Sequence, residues 1–439
     1  MKKAAVVLLV SLMVLGTVAS AFYYVIHDSL SRRAQGDLGD IPEAIVRSFR
    51  YSDFSGMDLT EMDFSTVGDE ILTYAFSTET KWPGADRMPP GYRPEDIIAR
   101  GKDMGLGLSA LHEAGITGEG VSVAIIDKPI PKDHEAYREN LRYIEVAPGD
   151  ERMNAPYFQG AGAASILAGE YGVAPEATLY YFAIPDDSEP YKWLTKAMDM
   201  LLDMREEMPE GERMRVVSVS YGIGTYGAGA SEWLEAIARA EEQGVIVVYP
   251  GMDGIVFTGA GCPPHLDRDD PESYERWSWV RAKEQVVGKL VQTGASSFED
   301  AREELKRLLT SDPDLDVLEV EAIHTFLYMI ELAALDPSAE YQEYLWAMVT
   351  YDLDTLCVPV DYLTVAGISS PSSYTYYGAG GLGWATPYLA GVLALGLQVD
   401  PDVSPDELFS ALIETAWTFG YEGVEGRLVN PKGFVEALR

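Results

Sequence analysis

Residues Gln159–Ile184 read QGAGAASILAGEYGVAPEATLYYFAI. Gly160 and Gly162 lack side chains at the point where a helix begins, so another element can approach that helix closely. AGAASILAG continues the helix, and GVAPEATLYY turns the chain through a Gly/Pro break into a strand. A helix feeding a short apolar strand through a tight turn is half of an α/β unit.

The same unit recurs on both sides. VSVAIID (Val121–Asp127) precedes it, and MRVVSVSYG (Met214–Gly222) and GVIVVYPG (Gly244–Gly251) follow. Each is a short run rich in β-branched apolar residues. Between them lie helical-length segments, EPYKWLTKAMDMLLDMREE and SEWLEAIARAEEQ. Strands alternating with helices predict an α/β fold with a doubly wound, mainly parallel sheet, and near-continuous apolar strands predict helices on both faces. The rhythm breaks at about 264–350, where three segments read as helices. In one of them Ser297 followed by Glu299 and Asp300 predicts an N-terminus. We read this stretch as a helical insertion. The strand pattern returns at TLCVPVDYLTVAG, and residues 27–104, broken by Pro and Gly, read as an N-terminal arm laid on the main domain.

The chain has 439 residues, 47% hydrophobic and 23% charged, enough for a packed core. It carries 33 basic against 70 acidic residues, a formal charge of −37. That charge repels phosphate backbones and anionic lipid, which sets nucleic-acid binding aside. The N-terminus places Lys2 and Lys3 before an apolar run and VASA, with Ala19 and Ala21 spaced as in an export-signal cleavage site. Residues 1–21 therefore read as a signal peptide of a secreted or extracytoplasmic protein. The alternative is an uncleaved membrane anchor over residues 4–26, the one route to a membrane in this chain. Cys262 and Cys357 are the two cysteines. They could pair in an oxidising compartment or stay as buried thiols, and they form no zinc motif.

Four segments carry chemistry, in order. GITGEGVSVAIIDKPI ends a buried strand on Asp127, where α/β sites form. The second is the opening stretch. The third is VSVSYG followed by VVYPGMDG, and the fourth is YYGAGGLGWATPYLAGVLAL. Together they resemble the subtilisin-like serine peptidases over about residues 105–438, the insertion excepted. In that family the second segment reads HGTHVAGIIAG or HGTAVASILAG and then GVAPGAKL. The third reads INMSLG and then VVAAAGNDG, and the fourth reads GTSMATPHVAG. The order Asp, His, Ser also fits the family.

The departures fall on the reactive positions. The resemblance places the triad aspartate at Asp127, the histidine at Gln159, the nucleophile at Gly383 and the oxyanion asparagine at Met252. Gly383 has no hydroxyl to attack a carbonyl, and an amide at 159 does not take a proton near neutrality. A thioether at 252 cannot donate, a loss of about 2.7–4 kcal/mol of barrier. Ser218, Ser220, Tyr221 and Gly222 fall where the family lines its substrate cleft. His134 matches a structural histidine, and His265 is the nearest stand-in for the missing base. Lys128 beside Asp127 has no nucleophile assigned to it. Met252 and Trp384 either fill the old cleft or line it.

The expectation is an exported pseudopeptidase acting on a peptide or protein partner by binding. The alternative is an active serine endopeptidase with a non-standard site. No cofactor is expected. A structural calcium would suit the family and the acidity, but no loop names its ligands.

Overall fold

The computed structural model describes residues 53–221, 228–250, 252, 257–312, 315, 317–333, 355–421 and 424–439. The expected leader at residues 1–26 lies outside them. The chain divides into two compact units. Among the described residues, one comprises 53–275 with 355–439, and the other comprises 276–333.

In the larger unit the chain passes through β1 (Ala75–Ser77), α1 (Pro94–Gly101) and α2 (Leu108–Glu113) before the first buried strand, β2 (Ser122–Asp127). Then come β3 (Leu141–Glu145), α3 (Phe158–Ala168), β4 (Thr178–Ala183), α4 (Pro190–Glu207), β5 (Val216–Ser218), α5 (Ala230–Glu242) and β6 (Ile246–Val248). These five strands form one sheet in the order β3-β4-β2-β5-β6, every neighbouring pair parallel. The chain winds outward from β2 to β3, returns to β4, then crosses β2 to reach β5. The winding therefore reverses beside β2, and the crevice past the carboxyl ends of β2 and β5 is the switch point where α/β proteins place their ligands. All six residues of β2 are buried, which is why the sequence shows no alternation there.

A second sheet continues with β7 (Phe257–Gly261). The smaller unit then supplies α6 (Ser278–Thr293), α7 (Phe298–Ser311) and α8 (Val317–Ala333). Ser297 caps α7, its hydroxyl accepting from the Asp300 N–H at 3.1 Å, as the sequence predicts. Within this unit Val286, Leu290, Leu305, Ile323 and Phe326 are buried, and Lys289 bridges Asp312 and Glu319. The helices start at Ser278 rather than near residue 264. Residues 264–275 belong to the larger unit, where the buried Arg268 guanidinium donates to the carbonyls of Cys262 and Tyr362.

Back in the larger unit, β8 (Leu356–Asp361) pairs in parallel with β7. β9 (Leu363–Ala366) and β10 (Tyr374–Tyr377) form an antiparallel ribbon, and β1 adds to β10 with Phe76 opposite Tyr376. Phe54, Phe64, Phe76, Trp82 and Tyr92 gather around that ribbon, with Phe76 and Tyr376 ring centres 5.1 Å apart. This aromatic cluster fastens residues 53–104. After α9 (Ala385–Val399) and α10 (Pro405–Glu414), β11 (Trp417–Tyr421) and β12 (Val424–Leu428) form a hairpin. β12 runs parallel to β8, and α11 (Pro431–Ala437) ends the chain.

Helices α3 and α9 are the core helices. Residues 158–168 and 385–399 are apolar nearly all round and almost wholly buried, as a helix covered on every side must be. Residues 382–399 are long and apolar enough to cross a membrane, but most of that stretch is inside the protein. Cys262 and Cys357 are both buried and form no disulfide with each other, and burial pushes the Cys262 thiol up to about 11.

Candidate functional site

Asp127 is the last residue of β2 and is 2% exposed. Its Oδ1 accepts the Lys128 backbone N–H at 2.7 Å, and among the described residues its Oδ2 has no hydrogen-bond partner. Burial pushes this carboxyl up to about 7. The Lys128 N–H opposes that shift, and the nearby charge of Asp186 adds to it. Tyr157, Tyr181 and Tyr221 surround it closely enough for its charge to push their phenols upward, on top of the larger effect of burial. The Tyr181 hydroxyl donates to the Lys128 carbonyl at 2.5 Å.

Lys128 is itself 2% exposed, an uncommon place for an ammonium. Its Nζ meets Asp186 Oδ1 at 2.8 Å and lies 4.3 Å from the centre of the Tyr157 ring. Burial lowers the ammonium's pKa, and Asp186 holds it up.

Gln159 sits in the first turn of α3, and its Nε2 donates to the Ser220 carbonyl at 3.4 Å. Gly383 lies in the 3-10 turn Leu382–Trp384 that leads into α9. Its carbonyl accepts from Ser220 Oγ at 2.8 Å and from Thr386 Oγ1 at 3.0 Å. A Cβ added at Gly383 would lie 2.6 Å from Gln159 Nε2 and 3.5 Å from the Ser220 carbonyl. So positions 159, 220 and 383, separate in the sequence, converge at one point. The space that a side chain at 383 would enter is held by the Gln159 amide.

The remaining candidates divide. Ser218 is fully buried in β5, and its Oγ has no partner among the described residues. Its neighbour in register on β2 is Ile125, two residues before Asp127, so Ser218 and Asp127 belong to the same face of the sheet. Tyr221 is half-buried beside Asp127, and Gly222 lies outside the described residues. Met252 is 6% exposed and Trp384 is 5% exposed. The Trp384 indole packs 4.7 Å from the Tyr377 ring centre, and a Cβ at Gly162 would come within 3.1 Å of its Nε1. Both large side chains are packing, not an exposed apolar floor.

His265 is exposed on the loop after β7. His134 is wholly buried, its Nε2 2.7 Å from the Ser373 carbonyl and its Nδ1 accepting from the Ala136 N–H at 3.1 Å. Nε2 therefore carries the proton and the ring is neutral. Among the described residues no group of three or more His, Cys, Asp or Glu side chains is placed to hold a metal ion. The Asp186 and Tyr157 partners of Lys128 were invisible to sequence reasoning. The one available signal was a lysine directly after a strand-end aspartate.

Residues 118–251 match the family model described as the subtilase family. No curated protein matches the chain. Among solved structures it is similar to the prenylagaramide maturation protease PagA, at 16% identity and TM-score 0.43, over 76% of this chain and 98% of that one. It is similar to the PatG macrocyclase in complex with peptide, at 12% identity and TM-score 0.44, over 76% and 95%. It is also similar to a protease from Pseudoalteromonas arctica, at 17% identity and TM-score 0.45, over 77% and 95%. The matched segment holds β2 to β6, Asp127 and Gln159, and it is over this segment that the chain is similar to the subtilase family.

Proposed function

We propose that this subtilisin-like chain is an exported pseudopeptidase. It does not hydrolyse peptide bonds and works by holding a peptide or protein partner. One observation carries the reading: the Gln159 amide fills the place where a nucleophile's side chain at 383 would stand, 2.6 Å from its Cβ. Gln159 donates to Ser220, and Ser220 and Thr386 converge on Gly383. Among the described residues Asp127 Oδ2 has no hydrogen-bond partner, and position 159 offers an amide in place of an imidazole. Acyl transfer needs a hydroxyl, a base and a donor to the oxyanion, and none of the three positions supplies its part.

The test is restoration. The Gln159→His, Gly383→Ser, Met252→Asn protein is compared with the wild type for covalent labelling by a fluorophosphonate. Labelling of the triple variant alone is the expected result. Labelling of the wild type would move the chain to the active serine endopeptidase reading. Export is tested separately, by sequencing the N-terminus of the mature protein, which begins after Ala21 if the leader is cleaved.

A further inference from the structure

A cleft of about 550 Å³ opens between α1, α2 and the turn that follows α3. Ile98, Met104 and Leu108 give it an apolar floor, and the carboxylates of Glu95, Asp103 and Glu170 line it. Tyr171 stands at its rim, 46% exposed. The cleft begins at the opposite end of α3 from Gln159, roughly 15 Å away along the helix. It shares no lining residue with the neighbourhood of Asp127.

The charges in this cleft do not balance. Its one lysine, Lys102, points its Nζ to within 3.3 Å of the Tyr374 ring centre and 4.7 Å of the Tyr171 ring centre, and it also feels Glu135 and Glu170. His112 is tied to the Val173 carbonyl at 2.9 Å. Asp103 accepts only the Gly105 N–H, at 2.9 Å, and among the described residues neither Glu95 nor Asp103 forms an ion pair. The concavity therefore combines aliphatic surface, uncompensated negative charge and an aromatic rim already in contact with a cation.

We propose that this cleft docks a segment of a partner protein that presents an arginine beside an aliphatic side chain. The arginine stem lies along the apolar floor while its planar fork reaches the carboxylates in paired hydrogen bonds. The ring of Tyr171 adds a cation–π surface. The aliphatic neighbour covers what remains of the floor. An acidic or phosphorylated segment would meet three carboxylates and a chain of net charge −37, which repel it. The proposal rests on this cleft alone and stands whether or not the chain is a pseudopeptidase.

The test uses a short labelled peptide alternating arginine and leucine, and its counterpart with glutamate for arginine. Binding is read by fluorescence anisotropy at about 0.15 M salt to suppress diffuse attraction. The paired variant Glu95→Gln, Glu170→Gln is expected to weaken binding of the arginine peptide about tenfold or more, and Tyr171→Ser to weaken it too. A control pair on an exposed turn, Glu210→Gln with Glu212→Gln, is expected to leave it unchanged. All the substituted cleft residues are exposed, so the fold survives them. Equal losses from the two glutamine pairs, equal binding of the glutamate peptide, or no binding of the arginine peptide would each overturn the proposal.

Discussion

Replacing Asp127 with asparagine should change how stability depends on pH, and the structure sets the direction and scale. The folded carboxyl ionises at about 7, whereas the unfolded value is 3.8. Between those values the folded state holds a proton that the unfolded chain has lost, so unfolding releases it. The stability associated with the neutral carboxyl is complete below pH 3.8 and drains away as pH rises to 7. A shift of about three pH units corresponds to about 4 kcal/mol, an upper figure because relaxation and entering water would soften it. Asparagine has the same shape, keeps an acceptor for the Lys128 N–H and never ionises. Wild type and Asp127→Asn should therefore have similar urea midpoints near pH 3. The variant should become progressively more stable by pH 8, by up to a few kcal/mol. The growing negative charge of the whole chain affects both proteins alike, so the difference isolates residue 127. The charged and titratable groups facing it (Lys128, Asp186, Tyr157, Tyr181 and Tyr221) are common to both proteins. A difference that stays constant with pH, or an asparagine variant that weakens as pH rises, would refute the account of a buried, uncompensated carboxyl.

Further outcomes follow from neighbouring geometry. A Cβ at Gly380 would collide with the Val360 carbonyl, while one at Gly381 would meet nothing within 4 Å. Gly380→Ala should therefore cost about 2 kcal/mol or more in chemical denaturation, and Gly381→Ala should stay within about 0.5 kcal/mol. Asp186→Asn leaves the buried Lys128 ammonium without its 2.8 Å partner. Because the Asp186 side chain is 59% exposed, the screened cost should be about 2 kcal/mol, seen as a lower melting temperature at pH 7. Burial depresses the His134 pKa below 6.5, and the Ser373 carbonyl only partly opposes it. Its contribution to stability is complete above pH 6.5 and is lost as pH falls through the folded value. Imidazole NMR should show His134 titrating below 6.5 with the proton on Nε2; titration above 6.5 would contradict the assignment.

Much of the fold was legible locally. VSVAIID, ATLYYFAI and GVIVVYPG are buried parallel strands because a strand covered on both faces needs no polar residues. The Ser297 cap could be read from three neighbouring side chains. What escaped depends on distant partners. Phe76 pairs with Tyr376 across most of the chain, and Arg268 reaches Tyr362, so neither the fastening of residues 53–104 nor the late start of the helical stretch shows in a local pattern. Gln159 and Gly383 could be singled out in the sequence, but their contact could not. It requires the first turn of α3 and the turn before α9 to meet over β5. The burial of Lys128 was equally hidden, since a lysine after a strand reads as a solvated end until its tyrosine and aspartate neighbours are placed.

The central proposal is that no side chain beside Asp127, Gln159 and Gly383 forms an acyl-enzyme. Its most direct measurement is the intact mass of the purified wild-type protein after prolonged incubation with excess fluorophosphonate. The account predicts an unchanged mass. A stoichiometric mass increase, mapped by peptide sequencing to Ser218, Ser220 or another serine beside Asp127, would contradict it.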